Sequence, residues 1–466
     1  MGGKSRAGVR QPQQSKAQER RPGAALRCKV AAAPKLREEY TGYCPLREGL
    51  HAAVERRMLA SVDAKTFFDS YVSQRRPVVL EGSTAMRLLK GMFGLRRRAA
   101  RWAKPGKAGT VCLASSSAGK CSVTVERRPD RGALFGQTDA SQRETQLLSD
   151  FCRAMEDGSE LGYLTTQPLP EDADGCPAAL AAPHVLRLLR PARRLRPSLV
   201  GSMAPVQYNM WFGRSSDGAS SGLHHDFHDN LYLLVRGQKE FRLFSPRCVD
   251  LLRPAGCCHG QPKLHKNGLI CYARGVRDDG VPQRIADAWM KRSSTSAQPG
   301  SSTLSSKAVD VDADEDSLEQ ALDDAIAGFE EDDYDSSEIK KPDSSKEAVP
   351  ELPDSFCAAT TTRPETLPAQ LRGSHLSAKL KAGDMLYLPA SWFHEVISQG
   401  GDAGGHLALN VWLAPPHATA SFESPYADNF WEEKYAKLRQ AARPARKKRR
   451  LAQSKRCKKV PRRCAP

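Results

Sequence analysis

The chain has 466 residues with a formal net charge of +18, 40% of them hydrophobic and 27% charged, too apolar for a wholly disordered chain and long enough for a sizeable core. No run of about twenty apolar residues is present to cross a membrane as a helix. The positive charge is concentrated: Lys437 to Arg463 hold 14 Lys and Arg and no acid, so the remainder carries only +4 and is not itself a polyanion-binding body.

Residues 1–40 are rich in Gln, Arg and Ala and read as a disordered basic N-terminus. No signal-peptide pattern opens the chain, and Pro12, Glu19 and the missing apolar face argue against a mitochondrial leader. Helices are predicted near His51 to Asp69, Glu144 to Met155 and Pro183 to Leu195. The basic stretch from Arg96 to Gly136 contains Trp102 and the alternating run Cys121 to Glu126, which suits a strand within an expanded loop. Leu231 to Pro246 reads as a hairpin with Gly237 near its turn.

Residues 278–365 read as an acidic, disordered insertion rich in Ser, Asp, Glu and Pro. Between Asp310 and Glu347 lie 16 acidic and 3 basic residues, a local charge of −13, with too little apolar surface to offset the entropy of ordering. Leu318, Leu322 and Ile326 could share one face of a short helix there. Met385 to Leu388 reads as a strand closed by a turn at Pro389, and Phe422 to Leu438 as an aromatic helix that packs on the core or forms a dimer contact. The 437–466 tail, with Lys447-Lys448-Arg449-Arg450, reads as a nuclear-import signal or a phosphate-binding arm, placing the protein in the nucleus with the cytoplasm as the alternative.

Thirteen cysteines include no C-x-x-C pair. Cys248 and Cys257-Cys258-His259 lack a second ligand pair for zinc, and reduced thiols are expected.

The chemistry concentrates in two distant segments, Ser221 to Asn230 and Gly383 to His394. In a strand, residues two apart share a face, so His224 and Asp226 can occupy neighbouring positions on one metal while His225 points away. His394, 170 residues on, supplies a third ligand. Two imidazoles and one carboxylate leave one face of an octahedral Fe(II) open, as oxygen chemistry requires, whereas zinc is more often caged by four ligands. His225 and His228 read as substrate-facing or solvated groups. Lys239 shares a strand face with Phe241 and Leu243, which carries a cation inward among apolar neighbours, and the far carboxylate of a bound 2-oxo acid would pair it.

Taken in order, Phe67 to Leu80, Leu223 to Pro246, Ala382 to Ser398 and Leu409-Asn410-Val411-Trp412 resemble the JmjC-type, cupin-like family of Fe(II)- and 2-oxoglutarate-dependent oxygenases over roughly residues 45–435, with 278–365 as an insertion. The resemblance implies a mainly β fold with flanking helices, built on a double-stranded β-helix (jelly roll, cupin-like) core. It implies His224, Asp226 and His394 as iron ligands and Lys239 as the residue that holds the far carboxylate of 2-oxoglutarate. Tyr163 and Ser221 resemble hydroxyl donors to that carboxylate, and Asn230 and Asn410 resemble amides lining the oxygen and co-substrate pocket. The implied reaction consumes O2 and 2-oxoglutarate, releases succinate and CO2, and hydroxylates a C–H bond or, on an N-methyl group, demethylates lysine or arginine.

Three functions follow as expectations. A protein substrate, hydroxylated on a side chain, comes first. The sequences around Leu243 to Arg247 and Trp392 to Ser398 are also similar to the tRNA wybutosine hydroxylase, which makes RNA the alternative substrate, and the basic tail adds an import receptor or nucleic acid as a partner. A non-catalytic binding scaffold is the third, and an intact triad with Lys239 speaks against it.

Overall fold

Asp229–Arg236 is buried at all eight positions, the pattern of a strand covered on both faces. Leu231, Leu233 and Val235 pack into one cluster with Phe67, Phe151, Val185 and Leu438 from the flanking helices, while Tyr232 and Leu234 pack into a second with Phe241, Leu243, Ala378 and Leu380. The strand therefore separates a core between two sheets from a core between sheet and helices.

The computed structural model describes residues 36–45, 52–82, 99–104, 106–136, 142–172, 176–189, 195–295, 352–400 and 404–442. Residues 1–35, residues 296–351 with the predicted Leu318–Ile326 helix, and the tail from 443 lie outside them.

Eight strands position the site: β1 (Pro205–Gly213), β2 (Ser215–Ser220), β3 (Asp229–Arg236), β4 (Gln238–Phe244), β5 (Leu376–Lys381), β6 (Met385–Leu388), β7 (Phe393–Gly400) and β8 (His406–Leu413). In a nine-stranded sheet the order is Arg56–Met58, Val78–Glu81, β6, β3, β8, β1, Gly162–Leu164, Ser122–Arg127, Arg143–Leu147. The five-stranded sheet runs Ala52–Ala53, β5, β4, β7, β2. Neighbours are antiparallel except Ala52–Ala53 on β5 and Arg56–Met58 on Val78–Glu81. The fold is thus mixed, with large sheets and flanking helices. No helix among the described residues is long and apolar enough to cross a membrane.

The hairpin expected over Leu231 to Pro246 does not form. β3 pairs with β6 and β8, and β4 pairs with β5 and β7, so the chain changes sheets at Gly237. Gly237 has φ 78°, and a Cβ there would come within 2.6 Å of the His406 Cβ, so both conformation and crowding call for glycine. β3 and β4 each pair on both edges with strands of their own sheet, which leaves no edge of either free for a hairpin between them.

The predicted helices are shorter than expected, and the first two begin later. His51 to Asp69 contains two short strands and then a helix at Ala64–Phe67, whose start is capped by Asp63 accepting from the Thr66 amide at 2.7 Å. Arg143–Leu147 is a strand and Leu148–Glu156 a helix, and the third helix is Pro183–Leu188. The aromatic helix is Phe430–Ala441, with Phe430, Tyr435 and Leu438 buried. The strand expected at Cys121 to Glu126 forms at Ser122–Arg127.

Asp229, fully buried at the start of β3, receives both ends of the Arg75 guanidinium at 2.5 and 2.8 Å, the Tyr387 hydroxyl at 2.7 Å and the Ala390 amide at 2.9 Å. Removing one member of such a buried pair strands the other charge at a cost of about 3–5 kcal/mol. Asp229→Ala is therefore predicted to lower unfolding stability by about that amount in urea titration, and a loss below about 1 kcal/mol would contradict this account of the pair.

Candidate metal centre

His224 and Asp226 lie in the connection between β2 and β3, not in a strand as the sequence suggested, because the residues around them bond irregularly. The alternation survives through one two-way bridge: the His224 amide donates to the His394 carbonyl at 3.0 Å, and the His394 amide donates to the His224 carbonyl at 2.7 Å. His394 is the second residue of β7. The Ser391 amide donates to the Asp226 carbonyl at 2.7 Å, which ties the turn before β7 to the same connection.

The side-chain ligand atoms of His224, Asp226 and His394 all lie within 4.8 Å of one another. The His224 Nδ1 lies 3.0 Å from the Gly222 carbonyl and the His394 Nδ1 2.9 Å from the Trp392 carbonyl. A carbonyl can only accept, so each Nδ1 carries the proton and each Nε2 keeps its lone pair for a metal. Burial, reinforced by His224, holds the His394 imidazole well below its usual range and therefore neutral. Burial pushes the Asp226 carboxyl upward, against the pull of His224 and His228; a cation at this point would restore its ionised form.

His225 corrects the sequence reading. It is 1% exposed, its Nε2 meets the Tyr272 hydroxyl at 2.8 Å, and its ring lies 5.1 Å from both Phe227 and Phe393. It is neither solvated nor substrate-facing, and burial lowers its pKa to about 3. His228 is half-buried and stacks on Trp412 at 5.4 Å.

Two imidazole nitrogens and a carboxylate on one side of a metal leave its other positions open to small molecules. The profile of the family described as Cupin-like domain matches residues 64–419, more than half of the chain. The chain belongs to that family. It is also 29% identical over 456 residues to the JmjC domain-containing protein 4 of Schizosaccharomyces pombe, covering 85% of this chain and 91% of that protein. The protein thus contains a JmjC-like cupin domain with a His/Asp/His metal site of the kind found in Fe(II)/2-oxoglutarate oxygenases, and family and triad together support activity of that type.

The cavity of this cupin-like domain reaches from the triad to Lys239. Lys239 is 2% exposed and donates to the Tyr163 hydroxyl at 3.0 Å and the Ser398 hydroxyl at 2.8 Å, with no carboxylate paired to it among the described residues. Burial lowers its pKa to about 7. A buried ammonium held by two neutral hydroxyls fits an incoming carboxylate, and with the triad it meets the requirements of an iron-bound 2-oxo acid. Asn230 and Asn410 are brought together, the Asn410 amide donating to the Asn230 carbonyl oxygen at 2.8 Å, while the Trp211 indole donates to Asn410 at 2.9 Å. Asn230 lines the cavity.

Ser221 also lines the cavity, but its hydroxyl donates to the Gly222 carbonyl at 2.9 Å and accepts from the Val396 amide at 3.0 Å. Its bonding serves the backbone, and the serine that meets Lys239 is Ser398. Ser398 was legible in principle: His394, Val396 and Ser398 are spaced by two along β7, so they share its inward face. Two more residues escaped the sequence. His406, 1% exposed, borders the cavity with its ring 5.6 Å from Tyr163. Glu395 is fully buried with no cation paired to it among the described residues and accepts from the hydroxyls of Ser220, Thr360, Thr361 and Thr362, which fastens the 360–362 segment to β7 beside His394.

The depressed Lys239 pKa makes a signed prediction. Between about pH 7 and pH 10 the unfolded chain holds a proton on Lys239 that the folded, ligand-free chain lacks, so this residue makes stability rise with pH in that window and contributes no slope below it. Urea midpoints measured across pH 6–10 should rise more steeply for wild type than for Lys239→Met; equal slopes would contradict the burial account.

Proposed function

We propose that this protein is an Fe(II)- and 2-oxoglutarate-dependent oxygenase that hydroxylates a protein side chain. The observation that carries the proposal is one cavity lined by a three-ligand metal set at one point and an anion-seeking buried lysine at another. His224, Asp226 and His394 would hold iron, and Lys239, with Tyr163 and Ser398, would receive the far carboxylate of 2-oxoglutarate. Bound iron supplies O2 activation, coupled to decarboxylation of 2-oxoglutarate to succinate and CO2, with insertion of one oxygen atom into a C–H bond. The chain's own residues bind and orient: Asn230 and Asn410 hold one another on the cavity's flank, and the Phe135 and Trp211 rings on its wall exclude water.

β1 through β4 and β5 through β8 each alternate between the two sheets, with β4 and β5 paired in the same one, which supports reading the core as a double-stranded β-helix. We assign residues 45–435 to this catalytic domain with 278–365 inserted in it, an insertion expected to be disordered but ordered at both ends, where helix Gln283–Thr295 packs Ile285 and Ala286 with Phe430 and residues 353–362 pack beside the metal ligands, and we assign the basic tail to nuclear import. A fluorescent fusion carrying Ala at residues 447–450 should then lose nuclear accumulation, and its retention would count against that assignment.

A protein substrate is preferred over RNA because, among the described residues, the only Lys or Arg side chain lining the cavity is the buried Lys239. RNA recognition leans on cations that meet phosphates, and the described cavity wall offers aromatic and apolar surface in their place. The test is to supply Fe(II), 2-oxoglutarate and O2 to the purified protein together with fractionated cellular protein or RNA. Succinate release and a one-oxygen mass gain on peptides are expected, with both reduced to background by Asp226→Ala. A mass gain confined to RNA would move the assignment to the second substrate class, and succinate release that Asp226→Ala leaves unchanged would remove the catalytic reading.

A further inference from the structure

The segment Pro353–Cys357, in the C-terminal part of the 278–365 insertion, packs directly on the ligand-bearing connection. The His225 amide donates to the Ser355 carbonyl at 3.1 Å and the Cys357 amide to the Leu223 carbonyl at 2.8 Å, so His224 is bridged by Phe356 on one side and by His394 on the other. The Phe356 ring stacks on the His224 imidazole with centroids 4.6 Å apart and planes 8° from parallel. Its own position is fixed twice more. The Phe356 carbonyl accepts from the Ala255 amide at 2.8 Å, and Gly136, at φ 82°, lets the loop approach so closely that a Cβ there would lie 2.7 Å from the ring.

We infer that Phe356 is a positioning residue for the metal ligand His224. His224 stands outside regular strand, and Phe356 is the ring that lies flat on it, the His394 ring at 4.3 Å being tilted by 52°. The Nδ1 bond to the Gly222 carbonyl sets which nitrogen faces the metal, and the flat contact with Phe356 sets the plane of the ring. Phe356 is only half-buried, so its removal exposes the imidazole face to water rather than emptying a core. The insertion thereby supplies a structural part of the site it interrupts. Without the stacking partner the imidazole turns among orientations, and binding a metal must first select the productive one.

The inference rests on the metal-site reading, and the experiment separates the two. Co(II) is titrated anaerobically into the full-length protein, following its visible absorption, with far-ultraviolet circular dichroism as the check on folding. Wild type is expected to bind, and His224→Ala to lose the spectrum. Phe356→Leu and Phe356→Met, both apolar and similar in volume, are expected to keep the fold and weaken Co(II) about 10-fold, within the range found when partners of a metal-ligating histidine are removed. Phe356→Tyr, which keeps the flat ring, should return affinity to within about twofold of wild type. Wild-type affinity in both aliphatic variants would overturn the inference alone, as would a Tyr variant as weak as Leu. No Co(II) binding by wild type would overturn the metal-site reading and the inference with it.

Discussion

A bidentate ion pair between Arg75 and Asp229, sealed from solvent, fixes the place where the two ligand-bearing arms of the chain meet. Asp229 lies three residues after Asp226 and opens β3, while its remaining bonds, to the Tyr387 hydroxyl and the Ala390 amide, grip the turn that delivers His394. One carboxylate therefore holds the end of the first arm and the beginning of the second, and the His224–His394 backbone bridge completes the register. Ser391, held at φ 60°, shows how tightly that turn is determined: its amide bonds to the Asp226 carbonyl and its hydroxyl accepts from the Ile270 amide. A long insertion between the arms is compatible with a metal site because its geometry is carried by these local bonds and not by the length of chain joining them.

Charge is arranged around the cavity in two contrasting ways. Glu395 is a buried anion already satisfied by hydroxyls and the Thr361 amide, so burial raises its pKa less than those donors lower it, and it acts as a clamp. Lys239 is a buried cation with only neutral partners, and burial leaves it near neutrality in its titration. The first is a finished interaction and the second an unfinished one. A site that binds an anion needs the second kind, since a cation already paired would have to release its partner first.

Much of the site was legible from residue type and spacing, since His224, Asp226 and His394 are the groups the structure brings together and Lys239 faces inward with Phe241 and Leu243. What could not be read was which connections change sheets. Leu231 to Pro246 has the local signature of a hairpin, and its two halves are separated by pairings with strands far away in sequence, β6 and β8 for β3, β5 and β7 for β4. His225 misled for a similar reason: its partners Tyr272 and Phe393 are far away in sequence, and a histidine next to a metal ligand carries no local sign of burial. Ser221 and Ser398 show the limit at the scale of one hydroxyl. Both border the cavity, and the choice between them depends on whether a backbone amide such as that of Val396 already uses the oxygen.

The central claim is that the triad and Lys239 together bind one small dicarboxylate through a metal. Calorimetric titration of 2-oxoglutarate, with redox-inert Mn(II) in place of iron, tests it most directly. Wild type should bind 2-oxoglutarate tightly only when Mn(II) is present, and Lys239→Met should weaken that binding by at least about 10-fold, the loss of one charge-assisted contact. Binding that neither requires Mn(II) nor responds to Lys239→Met would contradict the account.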